Sequence, residues 1–239
     1  MKINYILLLL IVFSQLTFSQ DNINSSDNNT VEYTKNKFTI TASLFAGIVM
    51  SHNDGNIHIA DNKEVILKKR TGYYWGIGAN TSYFLSKVSG ISIGAKYNSS
   101  YIYSSIREDN NNYKYFDEQI LIKSITFPLH IIHKWKFAHN RFGIIFNYGL
   151  SAELPLSINT TINYEKNNFE KLTEETSINN YNIVYGIDYN IGFIFYSKKN
   201  INYFVSLYQV YAFNYITDKN SIIGQLKRDR ADIGTGIEF

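Results

Sequence analysis

At 239 residues and a formal charge of +3, the chain has the length of one domain and too little positive charge to call for a nucleic-acid partner. Charged residues make up 18% and aromatics 16%, an imbalance that does not suit an ordinary water-facing surface. Cysteine is absent, which excludes disulfides, thiolate metal sites and a lipid anchor on an N-terminal Cys.

The chain opens on MKINYILLLLIVFSQLTFSQ. Lys2 is its positive end, Ile6 to Phe13 its apolar run, and Thr17 and Ser19 stand where a signal peptidase reads small or polar residues. Residues 1–19 are therefore read as a secretory signal, since the run is shorter than the ~20 apolar residues of a membrane-spanning helix. Residues 20–36 are polar and nearly free of aliphatics. They cannot bury enough surface to offset their ordering entropy and are expected to form a flexible arm.

From Lys37 onward the organising signal is alternation. In FGIIFNYGLSAELPLSI, Phe142, Ile144, Phe146, Tyr148, Leu150, Ala152, Leu154, Leu156 and Ile158 fall on one face, opposite Gly143, Ile145, Asn147, Gly149, Ser151, Glu153, Pro155 and Ser157. IVYGIDYNIGFIFY repeats the pattern, with Ile183, Tyr185, Ile187, Tyr189, Ile191, Phe193 and Phe195 against Gly186, Asp188, Asn190 and Gly192. The same reading predicts strands at 37–51, 72–86, 90–105, 120–137, 142–161, 182–197, 202–216 and 231–239. Most reach the ~9–11 tilted residues of a transmembrane strand. Ile57, Ile59, Val65 and Leu67 are expected to extend the first hairpin.

Connections alternate long and short, and the short ones all fall at one end. The prediction is an all-β fold, an eight-stranded antiparallel up-and-down transmembrane β-barrel over residues 37–239. It belongs in the outer membrane of a Gram-negative envelope, with both termini periplasmic and the long loops extracellular. Tyr73, Trp75, Tyr101, Tyr103, Tyr211 and Tyr215 lie toward the long loops. Phe38, Trp135, Phe137, Phe142, Phe195, Tyr203 and Phe239 lie toward the short turns, which gives two interfacial belts. A soluble ligand-binding barrel would invert the faces, but eight strands enclose too little room for the bulky set, so the small set is placed inside. Pro128 and Pro155 each remove a ladder donor; a bulge or irregularity is expected at both, with both rings turned inward.

ITFPLHIIHKW on the fourth strand, a Gly-rich penultimate hairpin and the closing IGTGIEF, behind a secretory signal, resemble the PorT-like outer-membrane β-barrel family over roughly residues 37–239. The resemblance implies eight strands and a terminal aromatic, here Phe239, that serves as a signal to the barrel-assembly machinery. It implies no single activity, because some members assist a secretion system and the family is functionally mixed.

Lys96, Lys134, Lys136, Glu153, Asp188, Glu238 and His130 are placed inward. Lys96, His130, Glu153 and Asp188 are read as a lumen polar network, in which Asp188 and Glu153 pair with Lys96 or His130. An ion or proton path is the competing reading. His130 and His133 fall on opposite strand faces and cannot share a metal. His52, His58 and Asp54 are read as solvated loop residues. No acid/base or Ser/His arrangement emerges on the outer face, where His133 is read as an interfacial anchor. Lys227, Arg228 and Arg230 are placed in the last long loop, read by default as solvated, with contact to anionic lipopolysaccharide at the outer surface as the functional alternative.

No catalytic residue, cofactor or metal is assigned. The expected role is structural or interactive, through the loops or the periplasmic rim, with membrane lipids, lipopolysaccharide, the barrel-assembly machinery and secretion or envelope proteins as partners. A small porin-like channel and a lipid-modifying enzyme are the alternatives.

Overall fold

The computed structural model of the chain describes residues 38–53, 56–59, 63–66, 70–106, 113–137, 141–166, 171–197, 201–217, 221 and 225–239. The expected signal at 1–19 and arm at 20–36 lie outside them. The strands are β1 (Phe38–Asn53), β2 (Asn56–Ile59), β3 (Lys63–Ile66), β4 (Arg70–Phe84), β5 (Ser89–Ile106), β6 (Tyr113–Phe137), β7 (Phe142–Lys166), β8 (Lys171–Ile178), β9 (Val184–Phe195), β10 (Asn202–Ala212) and β11 (Leu226–Glu238).

Eight of these close on themselves in the order β6-β5-β4-β1-β11-β10-β9-β7, with β7 returning to β6, and every pairing is antiparallel. The fold is the expected closed eight-stranded barrel. Closure gives every barrel strand two neighbours, the condition for putting backbone into hydrocarbon, where each unpaired group costs several kcal/mol or so. β2 and β3 form a separate hairpin that joins Ile57 to Val65, while Leu67 lies outside the described residues. The sequence reading left residues 171–178 in a loop; they form β8, which adds to β7 beyond the barrel.

The alternation resolves as bulky outside and small inside over the half nearer the short turns. Leu44, Ile77, Leu150, Ile191, Phe193, Leu207 and Ile233 are each at least half exposed. Ser92, Ser151, Gly192, Ser206 and Gly234 point in between them and are buried. Glycine is needed where neighbouring strands come closest: a Cβ on Gly149 would stand 2.0 Å from the Leu129 carbonyl, and one on Gly72 would stand 1.9 Å from that of Tyr101.

Both prolines are buried, and each marks a defect of a different kind. At Pro155 the β6–β7 register shifts, so that Lys123 faces Ser157 while Ser124 faces Pro155, leaving Leu156 as the extra residue of a bulge. At Pro128 the β5–β6 register holds, but the ladder is interrupted between Ile93–Leu129 and Lys96–Thr126. This is the expected effect of a missing N–H.

The bulge corrects one assignment. The sequence placed Ile158 outward with Leu154 and Leu156; the extra residue reverses the phase, so Ile158 and Ile162 turn inward at 1% exposure each and Asn159 turns out. Above it, the outer face of β7 and β8 carries polar cross-strand bonds, Thr173 Oγ1 donating to Asn163 Oδ1 (2.8 Å) and Ser177 Oγ to Asn159 Oδ1 (3.0 Å). The outer face of the strand thus changes from apolar to polar at Leu156. The interior changes with it: toward the long loops it is not Gly, Ser and Asn but an apolar core of Val49, Ile102, Ile120, Ile122, Ile158 and Leu226.

Candidate functional site

Below the apolar core the narrow lumen is filled in successive layers by charged and polar side chains, with a second buried apolar cluster of Ile132, Ile145 and Ile194 among them. At the short-turn mouth, Lys134 on β6 reaches across to Glu238 on β11. Asn202 Nδ2 donates to the other Glu238 oxygen at 3.3 Å, and the Lys134 ammonium stands 4.7 Å above the Phe84 ring. These positions follow from the sequence alternation, since Ile132, Lys134 and Lys136 share a face, as do Gly236 and Glu238.

Next comes a cavity of about 50 Å³ lined by, among others, Ser92, Lys96, Asn147 and Asn190. The Lys96 ammonium lies 3.5 Å from the centroid of the Tyr208 ring and 5.7 Å from that of Phe45. Tyr208 donates its hydroxyl to Asp188 Oδ2, and His130 Nε2 is 2.7 Å from Asp188 Oδ1. Tyr74 donates to Asp232. Farther up, Glu153 receives Arg228 on one oxygen and Arg230 on the other, the latter at 3.2 Å. Within the apolar core, Arg70 holds Glu118 through two bonds of 2.6 and 2.8 Å, both side chains fully buried, and Ser104 donates to the same carboxylate at 3.1 Å.

Of the four residues read as a network, the structure joins His130 to Asp188, with Lys96 on the Tyr208 ring beside them. It does not join Glu153 to Lys96 or His130. The partners of Glu153 are Arg228 and Arg230, which the sequence reading assigned to a surface loop. β11 begins at Leu226, and its alternation turns both guanidiniums inward, each at 4% exposure. The signal was legible: Leu226, Arg228, Arg230 and Asp232 continue the phase of Gly234 back from the closing strand. Lys136 lies over the Tyr196 ring, its ammonium 4.3 Å from the centroid, and remains exposed.

His133 lies on the outer face of β6, yet at 6% exposure it is covered by the stacked rings of Trp135 and Tyr148 at 5.7 and 5.8 Å. Its Nδ1 is 2.9 Å from Ser89 Oγ, a Ser–His contact the sequence reading missed because it arises from the register that sets Ser89 opposite His133. Among the described residues no carboxylate is bonded to this histidine, so the pair lacks the third group that orients a catalytic base. The side chains of His52 and His58, and all of Asp54, lie outside the described residues.

Chemically, this arrangement binds its own charges. Each carboxylate named above has a cationic or hydroxyl donor, so the lumen escapes the penalty of several kcal/mol or so for an unpaired buried ion. Above it apolar side chains pack around the buried Arg70–Glu118 pair.

No family model matches the chain, and no curated protein matches it. Among solved structures the chain is similar to Neisserial surface protein A at 9% identity, over 85% of this chain and 96% of that one, with a TM-score of 0.38. It is similar to the outer membrane protein OprG of Pseudomonas aeruginosa at 13% identity, over 83% and 95%, with a TM-score of 0.36. Ail, the attachment invasion locus protein of Yersinia pestis, is similar at 12% identity over 83% and 98%, with a TM-score of 0.28.

Proposed function

We propose that this chain is an integral outer-membrane barrel that acts without catalysis, as a structural or interaction protein working through its long-loop extensions or its short-turn rim. The observation that carries the reading is the pairing of opposites in one closed sheet: an exposed outer belt of Ile, Leu, Phe and Tyr around a lumen of mutually bonded charges. Only an apolar surrounding rewards that outer face, because leaving it in water would forfeit about 25 cal/mol per Å² of apolar surface. Two rows of exposed aromatics bound the belt. Tyr73 and Tyr101 stack at 5.7 Å toward the long loops, and Phe142 meets Phe195 at 5.4 Å toward the short turns. With an even strand count both ends of the barrel, at Phe38 and Phe239, lie on the short-turn side, which is the periplasmic side in this proposal.

The barrel-assembly signal at Phe239 belongs to the same proposal. Its ring is 50% exposed, and its backbone pairs with Ile40 in both directions, at 2.9 and 3.2 Å, so the closing strand presents an outward aromatic at its tip. Secretion or envelope partners follow from the PorT-like resemblance. Contact with lipopolysaccharide falls to Lys123, which is exposed on the outer face near the long loops, rather than to Arg228 and Arg230.

The test is conductance of the purified barrel in planar bilayers. A silent membrane, with the protein shown to be inserted, is the expected result. A large, steady current would identify a porin and reject the plugged lumen.

A further inference from the structure

Two inward asparagines face each other on neighbouring strands. The alternation that turns Gly143, Ile145 and Gly149 of β7 into the barrel also turns in Asn147, and the one that turns in Asp188 and Gly192 of β9 also turns in Asn190. Register sets Asn147 opposite Asn190, between Ile132 of β6 and Tyr208 of β10. Asn80 of β4 joins them in the wall of the lumen cavity of about 50 Å³. Ser92, Ser206 and Gly234 leave that volume open, because none of them carries more than one heavy atom beyond Cβ.

The polar atoms of this wall are unevenly partnered. The Oδ1 atoms of Asn80, Asn147 and Asn190 are closed off from bulk water, and none of them accepts from a donor among the described residues. A buried amide oxygen left in that condition carries the full penalty of its lost hydration. The Lys96 ammonium has three N–H donors to place. It touches the rings of Tyr208 and Phe45, and it donates to no oxygen among the described residues. Asn202, at the short-turn mouth and outside the cavity wall, differs: its Oδ1 accepts from the Ser197 N–H and its Nδ2 donates to Glu238, each at 3.3 Å.

Whatever completes this wall must donate to amide oxygens, accept from an ammonium and bring no net charge. The third demand follows from the charged side chains of the wall, where Lys96 and Lys134 already balance Asp232 and Glu238. An added ion would stand in the lumen without a counter-charge, which is costly in a buried site. A metal cation has nothing to donate, and an anion cannot approach the amide oxygens. Water meets all three demands. At roughly 10–15 Å³ for each molecule, a cavity of about 50 Å³ takes about three to five.

We infer that this cavity is a binding site for a small cluster of buried waters that joins Lys96 to Asn80, Asn147 and Asn190. Its wall takes in Lys134 and Glu238 as well as Tyr208, so the cluster lies directly above the short-turn mouth. On the other side, the Glu153 layer and the apolar core stand between it and the long loops. The inference rests on the plugged-lumen reading and adds to it that the plug is wet in its lower half and dry in its upper half.

The experiment is water-edited solid-state NMR of the full-length, isotopically labelled barrel in lipid bilayers. Magnetisation from water should reach the side chains of Asn147, Asn190 and Lys96 about as fast as it reaches Asn202 at the mouth, and should not reach Ile102 in the apolar core on that timescale. Ser92→Leu, which fills the cavity, should slow the transfer to Asn147 and Asn190 severalfold. The double variant Asn147→Leu/Asn190→Leu supplies a test by stability. Removing oxygens bonded to water strands the cluster and the ammonium, so the guanidinium midpoint should fall; removing oxygens that bond to nothing relieves a penalty and raises it. Asparagine signals in the natural barrel that water does not reach, or a midpoint unchanged or raised in the double variant, would overturn the inference. So would Asn80, Asn147 and Asn190 signals that shift when potassium replaces choline as the added cation, since that marks a cation site. Each of these results leaves a barrel silent in planar bilayers silent, whereas a steady current refutes the plug itself.

Discussion

Replacing Leu150 with Arg puts a charge near the middle of the outward row that runs from Phe142 to Leu156 on β7. At a rise of ~3.3 Å per residue and a strand tilt of ~40°, Leu150 stands about 20 Å above Phe142 and about 15 Å below Leu156 along the membrane normal. It is 57% exposed, and its cross-strand neighbours Leu129 and Ile187 are apolar, so no lumen water or carboxylate is within reach of a guanidinium placed there. A lipid-facing Arg at that depth costs ~2–4 kcal/mol. The loss is at least roughly 30-fold in the folding equilibrium. Ser151, one residue on, is inward and 7% exposed. Ser151→Ala should stay within about 0.5 kcal/mol of the natural chain. Guanidinium titration of both variants in liposomes, followed by the fluorescence of Trp75 and Trp135, supplies the numbers. Equal effects of the two substitutions would refute the assignment of faces.

Glu153→Gln leaves the Arg228 and Arg230 guanidiniums without their counter-charge and should destabilise by ~3–5 kcal/mol in the same titration, far more than an exposed Lys171→Gln. Deleting Leu156 removes the extra residue of the bulge and leaves Ile158 and Ile162 inward, in unbroken alternation from Pro155; protease cleavage of the β7–β8 hairpin on vesicles no faster than in the natural chain is the expected outcome. Gly149→Val, which drives a side chain against the Leu129 carbonyl, should cost about 1–3 kcal/mol and slow refolding into liposomes. Ser89→Ala should leave the lipid composition of purified membranes unchanged, since among the described residues no acid orients its histidine.

Strand number, order of long and short connections, and the direction of the bulky face were all legible, because a period of two over eight segments admits few closed arrangements. What escaped notice lies where that period is broken or extended. Ile158 was misplaced because a single inserted residue reverses the phase of everything after it; Pro155 signalled a defect, but not which side of it would be lipid and which water. Arg228 and Arg230 were assigned to a loop because charge was weighted above alternation, although they continue the inward set of β11. β8 was overlooked because KLTEETSI carries only Leu172 and Ile178 as apolar residues, too few to mark an alternating strand. The partners of Glu153 depend on which strands meet across the lumen, and that is a property of closure rather than of any local stretch.

A cysteine scan along β9 measures the central claim most directly, and the absence of native cysteine makes it clean. Spin labels placed singly from Ile187 to Phe193 in a reconstituted barrel should alternate in collision with oxygen dissolved in the bilayer. High values are expected at positions 187, 189, 191 and 193, and low values at 188, 190 and 192. A flat profile, or one with the even positions in lipid, would contradict an apolar exterior wrapped around a charge-filled lumen.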